Sequence, residues 1–549
     1  MLAKVFGSAL HGVEAFRVTV EVSIAHGLGY FITGQPDEVV RESLSRAEVA
    51  IKGLGLHMPR TKLSVNLSPA HIRKTGAGFD LPITLGILLA SGQLIDRRQL
   101  SNYVVVGELG LDGSILPVKG ALCMASQART DGMKGIIVPV ANASEARLVE
   151  GIDVLEAANL KELLEFISGR KNMEGKKVET PRATTPSQED DLDFRDVRGQ
   201  EPVKRAMEIA AAGGHNILLF GPAGVGKTML ARRLPTILPP MTNAEMLETT
   251  RIHSLDSGPA PLKDLVTRRP FRNPHHTASD IALTGGGSIP QPGEISLAHN
   301  GVLFLDELYE FKRSAIEILR QPMEQGKVRI DRAKTSLEFP ASFMLVAAMN
   351  PCFCGYLGHP KRACTCSKRA LEYYLRKTSG PLMDRIDLQV AVESVPLTEL
   401  MATHQPVESS AVIRARVIKA RAIQSERFKD LTAIHCNARM PEQSLDQYCL
   451  LDTHARRYLF GRLDSALVSA RSYSRILKVS RTIADLAGSS TVEVEHVAEA
   501  VYFRGLERLV EGRKKGKGDH ERPTPYSHRT GISLNSTQST FPGVVGSQY

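Results

Sequence analysis

A glycine-rich stretch of eight residues carries the clearest chemical signal in the sequence. It reads Gly-Pro-Ala-Gly-Val-Gly-Lys-Thr and follows the apolar run Ile-Leu-Leu-Phe. Glycine adopts backbone conformations that are closed to other residues, so successive N–H groups can converge on phosphate oxygens. The lysine would contact the β- and γ-phosphates, and the threonine hydroxyl would bind Mg²⁺. The pattern predicts that ATP binds Gly221, Pro222, Ala223, Gly224, Val225, Gly226, Lys227 and Thr228.

Two carboxylates and an amide end two further apolar runs. Asp306 and Glu307 follow the run Val-Leu-Phe-Leu, and Asn350 follows the run Met-Leu-Val-Ala-Ala-Met. In a phosphate-loop enzyme, Asp306 would hold Mg²⁺ through its water shell and Glu307 would polarise the attacking water. Asn350 would lie between that water and the γ-phosphate; alternatively, it only starts an Asn-Pro turn. Together with Lys227, these residues predict catalysis of ATP hydrolysis.

Two arginines are candidates for contacting ATP from other parts of the assembly. Arg385 lies beside the turn 380–384, from which its guanidinium could reach the ATP of a neighbouring subunit and stabilise transition-state charge. Arg471 begins the helical pattern 469–487 and could bridge phosphates from a helical lid, with Arg475 as the alternate. A single arginine is more often a surface charge, and that alternative applies to each of them.

Four of the seven cysteines are crowded into one segment with the spacing C-x-C-x₉-C-x-C. They are Cys352, Cys354, Cys364 and Cys366. Four thiolates on two short loops can close a tetrahedral Zn²⁺ site, which would stabilise a loop that has little core. Free thiols are the alternative. A catalytic metal is disfavoured because four sulfurs leave no open coordination position.

To lie close together, these side chains must follow buried strands whose ends meet at one edge of a sheet. Helices must cover the faces of that sheet. The apolar runs before the glycine-rich stretch, the carboxylates and the amide are typical of such strands, and the segment after Thr228 is typical of a helix. An α/β core with a parallel sheet flanked by helices is therefore predicted. Alternation of apolar residues also predicts a hairpin at 327–339 with its tip at 331–334.

Composition and pattern divide the remaining chain. In the first part, alternation predicts a strand at 18–24, helical spacing predicts a helix at 37–53, and an apolar run predicts a strand at 103–108. The predicted regions are a mixed α/β domain at 1–168, a linker at 169–191, the ATPase core at 192–395 with a cysteine-rich loop at 351–367, a helical lid at 396–510, and a basic, polar, disordered tail at 511–549.

Composition limits the choice of partners. The chain has 549 residues, a formal charge of +10 and a pI near 9.2, which favours a polyanionic partner, although a solvated basic face or tail explains it equally well. It lacks Trp and has few Tyr and Phe, so stacking of bases on aromatic side chains is not an obvious strategy. No run approaches the ~20 apolar residues of a membrane span, and no signal peptide opens the sequence. A cytoplasmic protein without membrane contact is expected.

The combined pattern resembles the AAA+ ATPases. The resemblance sharpens in the segments 272–279 (RNPHHTAS), 285–287, 292–300, 320–324 (RQPME) and 479–486 (VSRTIADL), which look like the magnesium-chelatase branch and specifically the ComM family, also called YifB. The resemblance implies a hexameric, ATP-driven DNA motor, a branch-migration helicase that promotes integration of single-stranded DNA in natural transformation. It also implies that the hairpin enters the pore, with Arg332 and Lys334 on DNA phosphates. The alternative is a chelatase-type ATPase that remodels a protein partner.

The first 168 residues resemble the proteolytic domain of Lon, an α+β fold similar to ribosomal protein S5. The matching segments are 74–83 (KTGAGFDLPI), 107–113 (GELGLDG) and 116–120 (LPVKG). Lon-type proteases place a nucleophilic Ser in the first segment and a Lys base just after the last. Here neither is present, although Lys119 is nearby, so no activated nucleophile can form. A protease fold without proteolysis is expected.

Overall fold

Two large β-sheets organise the chain, one in the front region and one around the glycine-rich stretch. The computed structural model describes residues 2–173, 192–256, 264–287, 290–332, 335–357, 362–377, 380–396, 407–431, 434–464 and 470–504. The predicted disordered tail and most of the predicted linker lie outside these ranges. The described part of 2–504 belongs to one compact unit.

The front sheet has seven strands in the order β3-β4-β2-β1-β5-β8-β9. Strand β1 pairs antiparallel with β2, and β2 with β4, while the other pairs are parallel. The strands are β1 (Leu2–His11), β2 (Glu14–Ala25), β3 (Tyr30–Thr33), β4 (Lys62–Ser68), β5 (Tyr103–Val105), β8 (Gly135–Pro139) and β9 (Asp153–Ala157), with the hairpin β6 (Glu108–Leu109) and β7 (Ile115–Leu116) beside them. The helices are α1 (Glu38–Gly53), α2 (Asp80–Ala90), α3 (Ala121–Thr130), α4 (Ala143–Ala146) and α5 (Leu160–Ile167).

Local pattern predicted the front elements well where one face is buried. The predicted strand 18–24 is β2, and the predicted helix 37–53 is α1, whose cap is Asp37 accepting from the Val40 N–H at 2.8 Å. The predicted strand 103–108 is too long, because Gly107 leaves the sheet to donate its N–H to the Gly78 carbonyl at 3.2 Å. Strand β1 was not predicted.

The second sheet is fully parallel, with the order β11-β14-β17-β10-β18, which confirms the predicted parallel core flanked by helices. All five carboxyl ends therefore lie along one edge. The strands are β10 (Ile217–Phe220), β11 (Phe271–Arg272), β14 (Val302–Leu305), β17 (Met344–Met349) and β18 (Leu388–Ala391), with a small pair β12 (Gly285–Gly286) and β13 (Gln291–Pro292). The helices are α6 (Glu201–Gly213), α7 (Lys227–Ile237), α8 (Asn243–Ser254), α9 (Asp280–Thr284), α10 (Glu294–Leu297), α11 (Arg313–Ile318), α12 (Arg320–Gln325), α13 (Lys368–Lys377) and α14 (Gly380–Met383).

The C-terminal region is helical, and it shares a core with the second sheet. Ile413 and Val417 of the first C-terminal helix pack in the same buried cluster as Ile217 and Leu219 of β10. These helices are therefore fixed to one face of the sheet by apolar burial. They are α15 (Ser410–Arg427), α16 (Leu445–Tyr448), α17 (Thr453–Asp464), α18 (Ala470–Ala487) and α19 (Val494–Tyr502).

The predicted hairpin is present as β15 (Lys327–Arg332) and β16 (Thr335–Pro340). Its tip is shorter than predicted, because pairing continues through Asp331 with Ser336 and through Arg332 with Thr335. At its base, Leu337 and Phe339 are buried in a small cluster that also includes Leu10 and Val13 of the β1–β2 turn. The front domain thus packs directly on the hairpin.

Candidate active site

The glycine-rich stretch forms a tight loop between β10 and α7. Gly224 and Gly226 have φ angles of +78° and +91°, which side chains other than glycine rarely adopt. A Cβ atom on Gly221 would lie 2.2 Å from the Val392 carbonyl oxygen, so only glycine fits at the start of the loop. The loop then enters the amino terminus of α7, where free N–H groups favour an anion. This geometry suits phosphate binding.

Lys227 is the first residue of α7, and its ammonium group lies inside the loop. It donates to the carbonyl oxygens of Gly221 and Pro222, each at 2.7 Å, and to Asn350 Oδ1 at 2.9 Å. Burial lowers the pKa of the Lys227 ammonium, while Asp306 and Glu307 oppose that shift. The predicted lysine and amide are thus in direct contact, although Lys227 begins α7 and Asn350 follows β17.

Thr228 and Asp306 are also in contact. The threonine hydroxyl donates to Asp306 Oδ2 at 2.6 Å, across the gap between α7 and the end of β14. A hydroxyl and a carboxylate are oxygen ligands of the kind that Mg²⁺ prefers, so this pair fits the predicted ion. The structure therefore brings Lys227, Thr228, Asp306 and Asn350 together at the carboxyl edge of the sheet.

Glu307 has an uncommon backbone conformation and a partner that was not predicted. Its φ angle is +51°, which is costly for a residue with a side chain, and its carboxylate is about half exposed. His276 Nδ1 lies 3.6 Å from Glu307 Oε2. His275 Nδ1 lies 2.8 Å from Thr277 Oγ1. Both histidines follow β11, which runs parallel to β14, so they lie at the same edge of the sheet as Glu307. The sequence alone does not show that these two strands pair, and the contact was therefore not predicted.

The four cysteines form one cluster next to this edge. All four sulfur atoms lie within 4.8 Å of one another, and the three sulfur pairs among Cys352, Cys354 and Cys364 measure 3.3 to 3.6 Å. A tetrahedral site with Zn–S bonds of about 2.3 Å needs sulfurs about 3.8 Å apart, so the cluster fits Zn²⁺. Backbone hydrogen bonds, first that of Tyr356, lower the pKa of the Cys354 thiol, while burial raises the pKa of the Cys352 thiol.

The cysteine cluster is attached to the phosphate site by two contacts. Tyr374 of α13 donates its hydroxyl to the Asn350 carbonyl at 2.7 Å. A Cβ atom on Gly355 would lie 3.7 Å from Ala223 of the glycine-rich loop. Gly355, directly after the first cysteine pair, therefore lies beside the glycine-rich loop.

Arg385 lies at the other end of the sheet. It precedes β18, and its carbonyl accepts from Asn216, which precedes β10, at 3.3 Å. The four-residue β10 separates this edge from the glycine-rich loop by about 13 Å. The guanidinium is buried, with 9% of the residue exposed, and it pairs with Glu324 of α12. Arg385 thus does not join the glycine-rich loop of its own chain.

Helix α18 also lies at this edge of the sheet, which is formed by the amino ends of the strands and is called the amino edge below. Ser472 accepts a hydrogen bond from Arg504, which also donates to the Ile386 carbonyl at 3.2 Å. Arg475 pairs with Asp387 and donates to the Arg385 carbonyl at 3.1 Å. Arg471 adjoins Ser472 and is exposed at this edge, across the sheet from the glycine-rich loop of its own chain, and its contact with phosphates stays a prediction. The shared core holds α18 against the face and amino end of the sheet.

Of the two residues proposed to contact DNA, the structure describes the backbone position of one. Arg332 is the last residue of β15, and Lys334 lies outside the described residues. One residue separates the hairpin from α12, and β16 leads on to β17, so the hairpin connects the Glu324 region to the strand that Asn350 follows. Among the described helices, none combines the length and apolar character that a membrane span requires.

Comparison with known proteins covers almost the whole chain. Family models match for magnesium chelatase, subunit ChlI, at 193–400, for subunit ChlI of Mg-chelatase at 20–142, and for the C-terminal part of subunit ChlI at 407–504. An uncharacterized protein YifB of Salmonella typhimurium is 42% identical over 514 residues, 93% of this chain and 98% of the relative. The competence protein ComM of Haemophilus influenzae is 42% identical over 513 residues, 93% of this chain and 99% of the relative. Lon protease 2 of Bacillus subtilis is 28% identical over 176 residues, 28% of this chain and 32% of the protease.

Proposed function

This chain belongs to the ComM/YifB family of magnesium-chelatase-related AAA+ proteins, and we propose that it is a cytoplasmic, ATP-hydrolysing ring motor that moves DNA strands. Its fold is a P-loop AAA+ core with a Lon-protease-like front domain and a helical C-terminal region. The finer proposal is a homohexameric branch-migration helicase that promotes integration of single-stranded DNA during recombination and natural transformation. The printed name of the Haemophilus relative, a competence protein, supports this direction.

The single observation that carries ATP hydrolysis is the contact set at the carboxyl edge. Lys227 and Asn350 meet at 2.9 Å, and Thr228 and Asp306 meet at 2.6 Å. Four groups from three elements thus converge beside a loop suited to phosphate. Bound Mg²⁺ would neutralise charge on the phosphates, and Thr228 and Asp306 would hold it. Glu307 would orient the attacking water and accept its proton.

The position of Arg385 supports a ring. Transition-state charge on the γ-phosphate needs a cation in addition to Lys227, and an arginine supplied by another subunit is a common solution. Arg385 is at the edge of the sheet opposite its own glycine-rich loop, so it would act on the site of a neighbouring copy. Arg471 is exposed at the same edge and would act across the same junction, if it contacts ATP.

Movement of DNA would come from the hairpin. Strand β16 continues through residues 341–343 into β17, and Asn350 follows β17 beside Lys227, so a change at the bound nucleotide would be transmitted along the strand to the hairpin. Arg332 and Lys334 at the tip would hold DNA phosphates. We propose that Cys352, Cys354, Cys364 and Cys366 bind a structural Zn²⁺ that fixes the loop beside the ATP site.

The test compares Lys227→Ala with the matched control Lys419→Ala, an exposed lysine on α15. ATP turnover and ATP-dependent strand exchange on a forked DNA are measured for both. We expect Lys227→Ala to lose ATP binding and strand movement together, and Lys419→Ala to keep both. Strand movement that persists in Lys227→Ala would refute the motor. ATP turnover in the unaltered protein that ignores forked and single-stranded DNA would favour the alternative, a remodelling ATPase acting on a protein partner.

A further inference from the structure

Two exposed aromatic side chains lie together on the surface beside the cysteine cluster. Phe353 is 49% exposed and Tyr373 is 64% exposed. Their aromatic rings are nearly parallel, at 13°, with centroids 6.4 Å apart. Within the described part of 192–396, no other aromatic side chain is among the large exposed hydrophobic residues. In a chain without Trp and with 5% aromatic residues, this pair is an unusual surface.

The pair is rigidly supported from below. Phe353 packs edge-on against Tyr309 and Tyr374, at centroid distances of 5.3 and 5.0 Å, and those two side chains stack on each other at 3.7 Å. Tyr309 and Tyr374 are 4% and 2% exposed. Phe353 also sits between Cys352 and Cys354, so a bound Zn²⁺ would hold its backbone on both sides. Such pre-organisation reduces the entropy lost when a ligand binds.

The surroundings are positively charged. Arg362, Lys368 and Arg369 are exposed, and Arg369 lies one helical turn before Tyr373 on the same face of α13. Between residues 351 and 377 the sequence has six Lys and Arg and one Glu. A zinc centre with four thiolates carries two negative charges, which still leaves this segment clearly cationic. Flat aromatic surfaces beside cations are how proteins bind single-stranded nucleic acid without reading its sequence.

We infer that Phe353 and Tyr373 form a stacking surface for the exposed bases of single-stranded DNA. The inference rests on the proposed function and adds a second DNA contact besides the hairpin. Because Tyr374 links the same cluster to Asn350, a base on this surface would lie two side chains away from the ATP site. A strand held there is single-stranded, since paired bases do not offer their faces.

The experiment measures the affinity of the full chain for a fluorescent oligothymidine by anisotropy. The variants are Phe353→Leu and Tyr373→Leu, which keep apolar volume but remove the aromatic face, and Phe353→Tyr, which keeps it. Loss of one base-stacking contact corresponds to a fall in affinity of about 5- to 150-fold. We expect that fall in both leucine variants, wild-type affinity in Phe353→Tyr, and a smaller change on duplex DNA of equal length. Zinc content and thermal unfolding serve as controls for folding.

The outcomes separate this inference from the proposed function. If the unaltered protein binds oligothymidine and both leucine variants bind it equally well, with equal zinc content, the stacking surface is refuted and the motor is not. If the unaltered protein binds no single-stranded DNA with or without ATP, the proposed function fails as well. If the leucine variants keep DNA affinity but lose oligomers on size-exclusion chromatography, the pair contacts a second copy of the chain, which also refutes stacking on DNA.

Discussion

The two edges of the parallel sheet hold different kinds of contact. At the carboxyl edge, Lys227, Thr228, Asp306 and Asn350 touch one another within one chain. At the amino edge, Arg385 is held by Glu324, on the far side of the sheet from the only phosphate loop in the sequence. Under the proposed function, one chain builds most of an ATP site and presents the remaining cation at the opposite edge. In the proposed ring, the carboxyl edge of one subunit faces the amino edge of the next at each junction. Residues of both edges would then form one ATP site.

The amino edge is also the more strongly buried. Asp387 is 4% exposed and lies between Arg475 and His215, whose other ring nitrogen is 2.8 Å from Thr482. Burial alone would raise the pKa of the Asp387 carboxyl, but Arg475 and His215 outweigh it and hold the pKa below its usual range. The network ties the segment of Arg385 to α18, so the guanidinium is presented from a rigid base.

The largest expected effect tests whether the two edges belong to one site. Arg385→Ala removes the proposed transition-state cation but leaves the loop untouched, so kcat for ATP should fall by about 10³-fold or more. Binding of a fluorescent ATP analogue should change little. The measurement is steady-state turnover beside equilibrium binding, with Arg414→Ala, an exposed arginine on α15, as the control.

Mixing the inactive variants sharpens this prediction. A junction that pairs the glycine-rich loop of an Arg385→Ala subunit with the Arg385 of a Lys227→Ala subunit has all its groups. Equimolar mixing after subunit exchange should therefore restore a measurable part of the ATP turnover that each variant lacks alone. If mixed oligomers form but ATP turnover is not restored, Arg385 does not act across the junction. The two edges would then not belong to one ATP site.

The next effect concerns stability. Asp387→Asn leaves Arg475 without its buried counter-charge, so the free energy of unfolding should fall by about 3–5 kcal/mol. Since the folded pKa of Asp387 is below its unfolded value, its contribution is full above about pH 4 and is lost as the pH falls below that value. Urea unfolding at pH 7 measures the loss of unfolding free energy in Asp387→Asn. The same measurement at pH 3 shows how much of that loss depends on the charge of Asp387. A variant whose deficit is the same at both pH values would show that the charge of Asp387 is not what stabilises this edge.

Sequence reasoning succeeded where the signal was local and failed where it was not. The glycine-rich loop, the strand ends and α7 follow from neighbouring residues, and parallel pairing brings them together without further information. The helix predicted at 469–487 is α18 (Ala470–Ala487), but its place at the amino edge depends on apolar packing between regions far apart in sequence. Arg385 contacts Glu324, 61 residues away, and Arg475 contacts Asp387, 88 residues away. Contacts over such separations produce no repeating pattern in the sequence that would predict them.

The smallest expected effect concerns Glu324, which decides how the amino edge presents its arginine. The carboxylate contacts one guanidinium nitrogen, Nη2, and its side chain is 53% exposed, so the pair contributes no more than about 1 kcal/mol. When the guanidinium meets a phosphate of a neighbouring copy, Glu324 would orient it through that nitrogen. Glu324→Gln should therefore lower kcat about two- to five-fold with KM unchanged, and Glu324→Ala should lower it further. A rise in kcat in either variant would instead mean that Glu324 masks Arg385 until a neighbouring subunit displaces it, so the sign of this change separates a positioning contact from an inhibitory one.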